Sequence, residues 1–202
     1  MADRSDEELM SAAGRGDRDA FGILVARHDR AVMRLVCGLL AIADRNTGED
    51  LTQEVFLAAW RAAPRFRSRT GVRVLSWLLR IATNTCFNYR RSGRLRIAVP
   101  IGVHNDPHVG AHAEPDAVIV ADERARQVRA AIAELPPAQR AAILLREFHG
   151  LSYAEIGDVL DTSVSAVESL LVRARRTLSV VLADSENEIT PQVSTELRVE
   201  SL

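Results

Sequence analysis

Apolar side chains recur at every third or fourth position along most of this chain, a spacing that predicts amphipathic helices. Within residues 6–40 the pattern gives a short helix and a longer one, separated by Gly14 and Gly16. Similar patterns predict a third helix over 49–63 and a fourth over 72–91. These four helices form one candidate domain.

Residues 93–121 have a different character, because six glycine and proline residues interrupt any helical pattern. We expect this stretch to be a flexible linker. Helical periodicity resumes over 122–134, continues over 138–148, and persists in the segment that ends at Leu182. The remaining residues, 183–202, are polar and acidic and are predicted to be disordered.

The predicted fold class is therefore all-α, with two small helical domains over 1–92 and 122–182. The linker over 93–121 joins them, and the acidic tail over 183–202 follows. No strand-like alternation of useful length is present. The two domains are expected to move independently of each other unless a partner holds them together.

The second domain ends in a pattern typical of a helix-turn-helix. Ser152 and Glu155 form a capping box, and Asp161–Ser163 makes a polar corner before the last helix. An inner apolar stripe on that last helix is predicted to contain Val164, Val167, Leu171, Ala174 and Leu178. The pattern fits a DNA-reading helix, and it equally fits an ordinary three-helix bundle with a basic surface. Periodicity alone leaves both interpretations open.

Charge distribution is more informative than net charge, which is −1. All 26 basic residues are arginine, and nine of them lie in residues 65–96, where no acidic residue occurs. The tail after Leu182 carries the opposite sign, so a basic middle and an acidic end cancel. A basic segment of this kind is suited to nucleic acid.

Other features narrow the class of protein. The N-terminus lacks an apolar signal core, and no run of about 18 apolar residues occurs, so a soluble, cytoplasmic protein with no membrane insertion is expected. His104, His108 and His112 have helical metal-ligand spacing, but Pro107 and Gly110 argue against a helix there. No cofactor and no metal site are predicted.

Two further function classes have little support. A response-regulator-like transcription factor needs phosphoacceptor aspartates at strand ends, and no strands are predicted. An enzyme needs recognisable chemistry, and the chain has no glycine-rich phosphate loop and no HExxH motif.

Four segments in order decide between the remaining interpretations. They are "DEELMSAAGRGDRDAFGILVARH", "DLTQEVFLAAWRA", "WLLRIATNTCFNYRRSGR" and "ELPPAQRAAILLREFHGLSYAEIGDVLDTSVSAVESLLVRARRTL". With these four segments in this order, the chain resembles the extracytoplasmic-function (ECF) sigma factors of bacterial RNA polymerase. The resemblance implies a sigma region 2 domain, a linker that threads through the polymerase, and a sigma region 4 helix-turn-helix domain. The resemblance also implies that the protein has no catalytic activity of its own.

The resemblance also implies partners and sites. The partners would be core RNA polymerase, through its β′ clamp helices and β flap, promoter DNA, and an anti-sigma factor. The stripe for core polymerase would be Asp50, Gln53, Glu54 and Leu57. Recognition of the promoter −10 element would use Asn84, Thr85, Asn88, Tyr89, Arg90 and Arg91. Recognition of the −35 element would use Ser165, Ala166, Glu168, Ser169, Arg173 and Arg176.

Residue chemistry agrees with these assignments. Amides read base edges, an aromatic ring stacks on an unpaired base, and arginines hold phosphates. The chain departs from the family pattern in two places. Between Phe66 and Trp77 it is about two residues longer, and Glu168 and Leu170 stand where many members have basic residues.

Overall fold

The structure is a computed structural model that describes residues 4–41, 45–66, 73–92 and 115–189. Within those ranges every regular element is a helix, and no strand occurs. The predicted all-α fold class is therefore confirmed.

The first two helices begin at polar caps. Helix α1 (Asp6–Gly14) starts with a capping box in which Ser5 and Glu8 satisfy each other's backbone N–H groups. Helix α2 (Arg18–Leu40) starts where Asp17 accepts a hydrogen bond from the third backbone amide after it. The division between the two helices lies where the glycine pattern predicts it.

Helix α3 (Arg45–Ala62) runs into a short 3₁₀ turn, Ala63–Arg65, and α4 (Val74–Arg91) follows. The sequence pattern predicts Ala58 on the buried side of α3, but Ala59 is the alanine that is fully buried. Thr52 and Phe56 are also buried, so the centre of the buried face lies between the rows of Leu51 and Thr52, and Ala58 falls at its partly exposed edge.

The second half begins earlier than predicted. Helix α5 (Pro115–Glu134) starts at a proline that the sequence pattern places in the linker. Proline is acceptable in the first turn of a helix, because the backbone N–H that it lacks has no partner there. The rest of the predicted linker, residues 93–114, and its three histidines lie outside the described residues.

Helix α6 (Pro137–Ile143) continues as a π-helical turn, Leu144–Phe148, and α7 (Tyr153–Leu160) follows. Helix α8 (Val164–Ile189) is longer than predicted. The first seven residues of the segment expected to be a disordered tail are helical, and residues 190–202 lie outside the described part.

Helix α8 packs with most of its predicted inner stripe. Val167, Leu171 and Ala174 are fully buried, and burial of such a valine or leucine contributes roughly 1.5–3 kcal/mol to the free energy of unfolding. Val164, predicted for the same stripe, is 45% exposed. It is the first residue of the helix, where the chain has only just left the turn and no neighbouring helix covers it.

The two halves of the chain are packed against each other. The buried side chains form one contiguous cluster that includes residues of α1–α4 and of α5–α8. Helix α4 lies against α7, and α2 contacts α5, α6 and the π-helical turn. These contacts join the two regions that the sequence analysis expects to move independently, and that expectation stays a prediction.

Among the described residues, no helix combines the length and the apolar character that crossing a membrane requires. The same residues contain no group of three or more histidine, cysteine, aspartate or glutamate side chains placed to hold a metal ion.

Candidate docking surface and nucleic-acid interface

Helix α3 carries a polar stripe on its outer side. Asp50, Gln53 and Glu54 are exposed, and Leu57 is 54% exposed. These four positions are three or four residues apart and so share one face. The buried face is lined by Leu51, Val55 and Ala59, each at most 2% exposed. An exposed leucine among polar groups gives the α3 stripe the mixed character of a protein-binding surface.

The polar residues at the C-terminal end of α4 differ in exposure to solvent: some are exposed and others are partly buried. Asn84, Asn88 and Arg91 are exposed and lie at positions i, i+4 and i+7 of one face. Two amides and a guanidinium along one line are groups that bind base edges and phosphates. This α4 stripe contains three of the six residues predicted for −10 recognition.

The other three of those six, Thr85, Tyr89 and Arg90, are only partly exposed. The Tyr89 side chain packs against the core cluster. Its ring is therefore seated on the protein, and stacking on an unpaired base would require it to turn outward.

A buried thiol fixes the inner face of the same helix end. Cys86 is fully buried, and burial together with the nearby Cys37 raises the pKa of its thiol to about 12. The thiol is neutral and packs as a small apolar group. Neither cysteine forms a disulfide.

The turn before α8 is built by local backbone chemistry. Asp161 ends α7 in the left-handed conformation, with φ of 53°, and the Thr162 N–H donates to the Gly157 carbonyl at 2.9 Å. A Cβ atom on Gly157 would lie 2.9 Å from the Thr162 carbonyl oxygen. Ser163 then accepts a hydrogen bond from the Ala166 N–H at 3.2 Å and caps α8. The three-residue corner predicted from the sequence is present.

The outer side of α8 forms a continuous face. Ala166 is partly exposed at its edge, and the other members are exposed. They are Ser165, Glu168, Ser169, Val172, Arg173 and Arg176. Short side chains lie near the start of the helix and arginines lie further along, which suits base reading at one end and phosphate contact at the other.

Val172 is the member of this face that the site prediction omits. Its side chain is 64% exposed between Glu168 and Arg176. An exposed valine can contact the methyl group of thymine, and a carboxylate such as Glu168 can accept a hydrogen bond from the amino group of cytosine. The spacing of 165, 168, 169, 172, 173 and 176 is helical, and that signal was available in the sequence.

The three arginines at this end of α8 have different surroundings. Arg175 donates to Glu147 at 2.9 Å, and hydrogen bonds from its guanidinium to Glu147 and Tyr153 raise its pKa. Arg173 lies back along the helix and donates to the Ser169 carbonyl at 3.1 Å. Arg175 therefore fastens α8 to the π-helical turn, while Arg173 and Arg176 remain on the outer face.

Comparison with known proteins adds a decisive observation. The family model described as sigma-70 region 2 matches residues 24–96, and the model described as sigma-70 region 4 matches residues 125–178. The chain is 31% identical to RNA polymerase sigma-H factor of Pseudomonas aeruginosa over 90% of its own length and 96% of that protein. It is 34% identical to ECF RNA polymerase sigma-E factor of Haemophilus influenzae over 93% and 96%.

The chain is an ECF sigma factor. A solved structure of CnrH in complex with the cytosolic domain of CnrY is similar to it, with a TM-score of 0.66 and 28% identity over 90% of this chain and 99% of that one. The sigma factor has α3 and α4 in the region 2 match, and α6, α7 and the first part of α8, up to residue 178, in the region 4 match. The resemblance stated from the four sequence segments is confirmed.

Proposed function

We propose that this sigma factor binds core RNA polymerase, recognises promoter −10 and −35 elements, and directs transcription initiation. The observation that carries the proposal is the separation of three exposed surfaces on three helices: the α3 stripe, the α4 stripe and the outer face of α8. Each lies opposite a buried face, so these side chains are not needed for the core. The protein acts in the cytoplasm, where its polymerase and DNA are, and contributes no catalysis of its own.

The α3 stripe is assigned to the β′ clamp helices of core polymerase. The assignment predicts that the double variant Gln53→Ala and Glu54→Ala binds core polymerase more weakly. Its free energy of unfolding should shift by less than about 0.5 kcal/mol, because both side chains are exposed. Binding titrations with core polymerase and urea unfolding would measure the two quantities. A matched control is Glu7→Ala with Arg18→Ala, two exposed residues on α1 and α2.

Run-off transcription with core polymerase and a promoter library tests the proposal as a whole. Initiation from a defined subset of promoters is expected only when the sigma factor is present. The α3 double variant should lose this activity, and the α1–α2 control should keep it. Equal transcription with and without the sigma factor would contradict the proposal.

The α4 and α8 surfaces are assigned to the two promoter elements. Residues assigned to the −10 element are Asn84, Thr85, Asn88, Tyr89, Arg90 and Arg91, with the exposed α4 stripe making the first contacts. Residues assigned to the −35 element are Ser165, Ala166, Glu168, Ser169, Arg173 and Arg176, together with Val172. The region 4 domain is further assigned to the β flap.

We further propose control by an anti-sigma factor. CnrH, similar to this chain over nearly its whole length, was solved with the cytosolic domain of CnrY. A protein partner of this kind would bind the free sigma factor and lower run-off transcription. Addition of excess core polymerase before the partner should protect transcription, and addition afterwards should not.

A further inference from the structure

The start of α8 lacks the side chains that proteins use most often to recognise bases. Residues 161–172, which form the corner and the first nine residues of the helix, contain no arginine, lysine, asparagine or glutamine. Arginine and lysine bind guanine, and asparagine and glutamine bind adenine, through paired hydrogen bonds in the major groove. The part of α8 that helix-turn-helix geometry places nearest the bases therefore has no side chain suited to paired hydrogen bonds with a purine.

The serine side chains of the outer face are engaged by the protein itself. The Ser169 hydroxyl donates to the Ser165 carbonyl at 3.0 Å, so its proton is not available to a base. The Ser165 hydroxyl lies 3.1 Å from that of Ser163, which accepts from the Ala166 N–H. A hydroxyl group also binds donors and acceptors alike, so it discriminates poorly between bases. The serines therefore contribute little sequence information.

The arginines of the outer face lie further along the helix and are suited to phosphates. Arg173 and Arg176 are exposed there, whereas Arg175 is held by Glu147 at 2.9 Å. Phosphate contacts fix the register of a protein on the duplex but carry no sequence information. Once the serines and the arginines are set apart, Glu168 and Val172 are the exposed members of the outer face that remain.

The carboxylate of Glu168 selects a base by attraction and by repulsion. In the major groove cytosine offers an amino donor and no acceptor, whereas guanine offers two acceptors and no donor. An ionised carboxylate only accepts hydrogen bonds, so it binds the cytosine amino group and is repelled by N7 and O6 of guanine. Thymine presents an acceptor, and adenine presents an acceptor beside its amino group, so both fit less well. Glu168 is therefore suited to a cytosine on the strand that it faces.

The side chain of Val172 offers an apolar group one helical turn further along. It is 64% exposed, whereas Val167 and Leu171 of the same helix are fully buried. Val172 is therefore not needed for the core. The C5-methyl group of thymine is the apolar group that the major groove presents, and its burial against a valine is favourable. Val172 is therefore suited to a thymine.

The spacing of these two side chains sets the spacing of the bases that they contact. Four residues of α-helix rise about 6 Å, and successive base pairs are about 3.4 Å apart. A helix that lies along the major groove therefore presents Glu168 and Val172 to bases about two base pairs apart.

We infer that this sigma factor recognises its −35 element through a cytosine at Glu168 and a thymine about two base pairs away at Val172, and that Glu168 excludes guanine from its position. The inference deepens the proposed function and rests on it, since it requires α8 to lie in the −35 major groove. It also gives a meaning to the departure from the family pattern at residue 168. A carboxylate in place of a basic side chain replaces a group that binds guanine with one that rejects it.

Selection from a promoter library tests the contact made by Glu168. Holoenzyme assembled from core polymerase and the full-length sigma factor is offered promoters with a fixed −10 element and a randomised −35 region. The wild type should prefer cytosine to guanine at one position by at least about fivefold. Glu168→Gln keeps the shape of the side chain but supplies an amide, so the preferred base at that position should change from cytosine to adenine.

The control for this variant is Asp158→Asn, which removes the same charge from an exposed position on α7. This control should keep the preference of the wild type. An unchanged preference for cytosine in Glu168→Gln would overturn the assignment of Glu168.

Deoxyuridine tests the contact made by Val172, because its base differs from thymine by the absence of the methyl group. Replacement of the selected thymine by deoxyuridine should weaken binding of the wild-type holoenzyme about fourfold, the effect of one buried methyl group. Val172→Ala should bind the two promoters nearly equally. Val180→Ala, a change at a valine of the same helix that is 57% exposed, should keep the fourfold difference. Equal binding of both promoters by the wild type would overturn the assignment of Val172.

The same selection separates this inference from the proposed function. A wild-type holoenzyme that enriches no −35 sequence and gives no promoter-specific run-off transcript would refute the proposed function, and the inference with it. Enrichment of a −35 sequence that Glu168→Gln and Val172→Ala leave unchanged would refute the inference alone.

Discussion

Glu155 illustrates how much one side chain does in this molecule. Burial acts to raise its pKa, but hydrogen bonds from Arg73, Ser152 and Ser76 outweigh that effect and bring the pKa to about 2. The folded pKa lies below the ordinary value of 4.5, so the charge contributes stability above about pH 4.5, and that contribution is lost as pH falls towards 2. The contact between the regions therefore persists throughout the neutral range.

His149 is expected to dominate stability at mildly acid pH. Burial and the nearby Arg34 lower its pKa from 6.5 to about 4, so it stays neutral when folded. The unfolded chain binds more protons than the folded chain between these two pH values. The free energy of unfolding should therefore decrease as the pH is lowered from 6.5 to about 4, by up to roughly 1.4 kcal/mol per pH unit. Urea unfolding at several pH values would measure this. His149→Gln should flatten the dependence, and an unchanged pH slope would contradict the assignment.

Gly157 is a second residue with a sharp expectation. A Cβ atom there would lie 2.9 Å from a backbone oxygen, which cannot rotate away as a side chain can. Gly157→Ala should therefore lower the free energy of unfolding by about 1–3 kcal/mol, as overpacking usually does. Gly22→Ala, in open space on α2, should instead raise it by up to about 1 kcal/mol. Parallel urea titrations would compare the two, and equal stability of Gly157→Ala and the wild type would contradict the steric argument.

Among the elements, α8 combines structural and DNA-binding roles along one length. Arg173→Ala with Arg176→Ala should weaken binding to all −35 duplexes to a similar extent. The slope of log affinity against log salt concentration should become shallower by about one for each phosphate that is no longer neutralised. Arg175→Ala is the matched control, since Arg175 is engaged by Glu147 at 2.9 Å. Titrations at several salt concentrations would decide, and equal slopes for the double variant and the wild type would show that these arginines do not hold phosphates.

The whole molecule is held together by one core, and its unfolding should reflect that. Because the buried cluster runs from α1 to α8, the wild type should unfold in a single calorimetric transition. Gly38→Leu should divide the transition in two, since an added Cβ atom would lie 2.9 Å from Leu144 Cδ1 and region 4 would lose the support of α2. Gly22→Leu should keep one transition. Two separate transitions in the wild type would indicate that the regions are energetically independent.

Local sequence was enough to predict the helices, their caps and the helix-turn-helix corner, because these depend on nearby residues. The capping box of Ser152 and Glu155 and the turn at Asp161–Ser163 are examples, since each hydrogen bond spans only a few residues. The outward faces of α3 and α8 also follow from helical spacing. The helix boundaries at Pro115 and Ile189 could not be predicted from local sequence, because a proline at a helix start and a polar helix end give weak local signals.

How the two regions meet is set by the folded chain and could not be predicted from local patterns. Nothing near Glu155 in the sequence indicates that Arg73 and Ser76, about 80 residues away, donate to its carboxylate. Arg140 likewise reaches the Leu39 carbonyl, whose availability depends on where α2 ends in space. Such contacts arise when preformed helices dock, and their partners are set by packing geometry rather than by spacing along the chain. Gly38 has no side chain whose character could indicate a buried contact in the sequence. Only the position of Leu144, which leaves no room for a Cβ atom, explains why a glycine is present there.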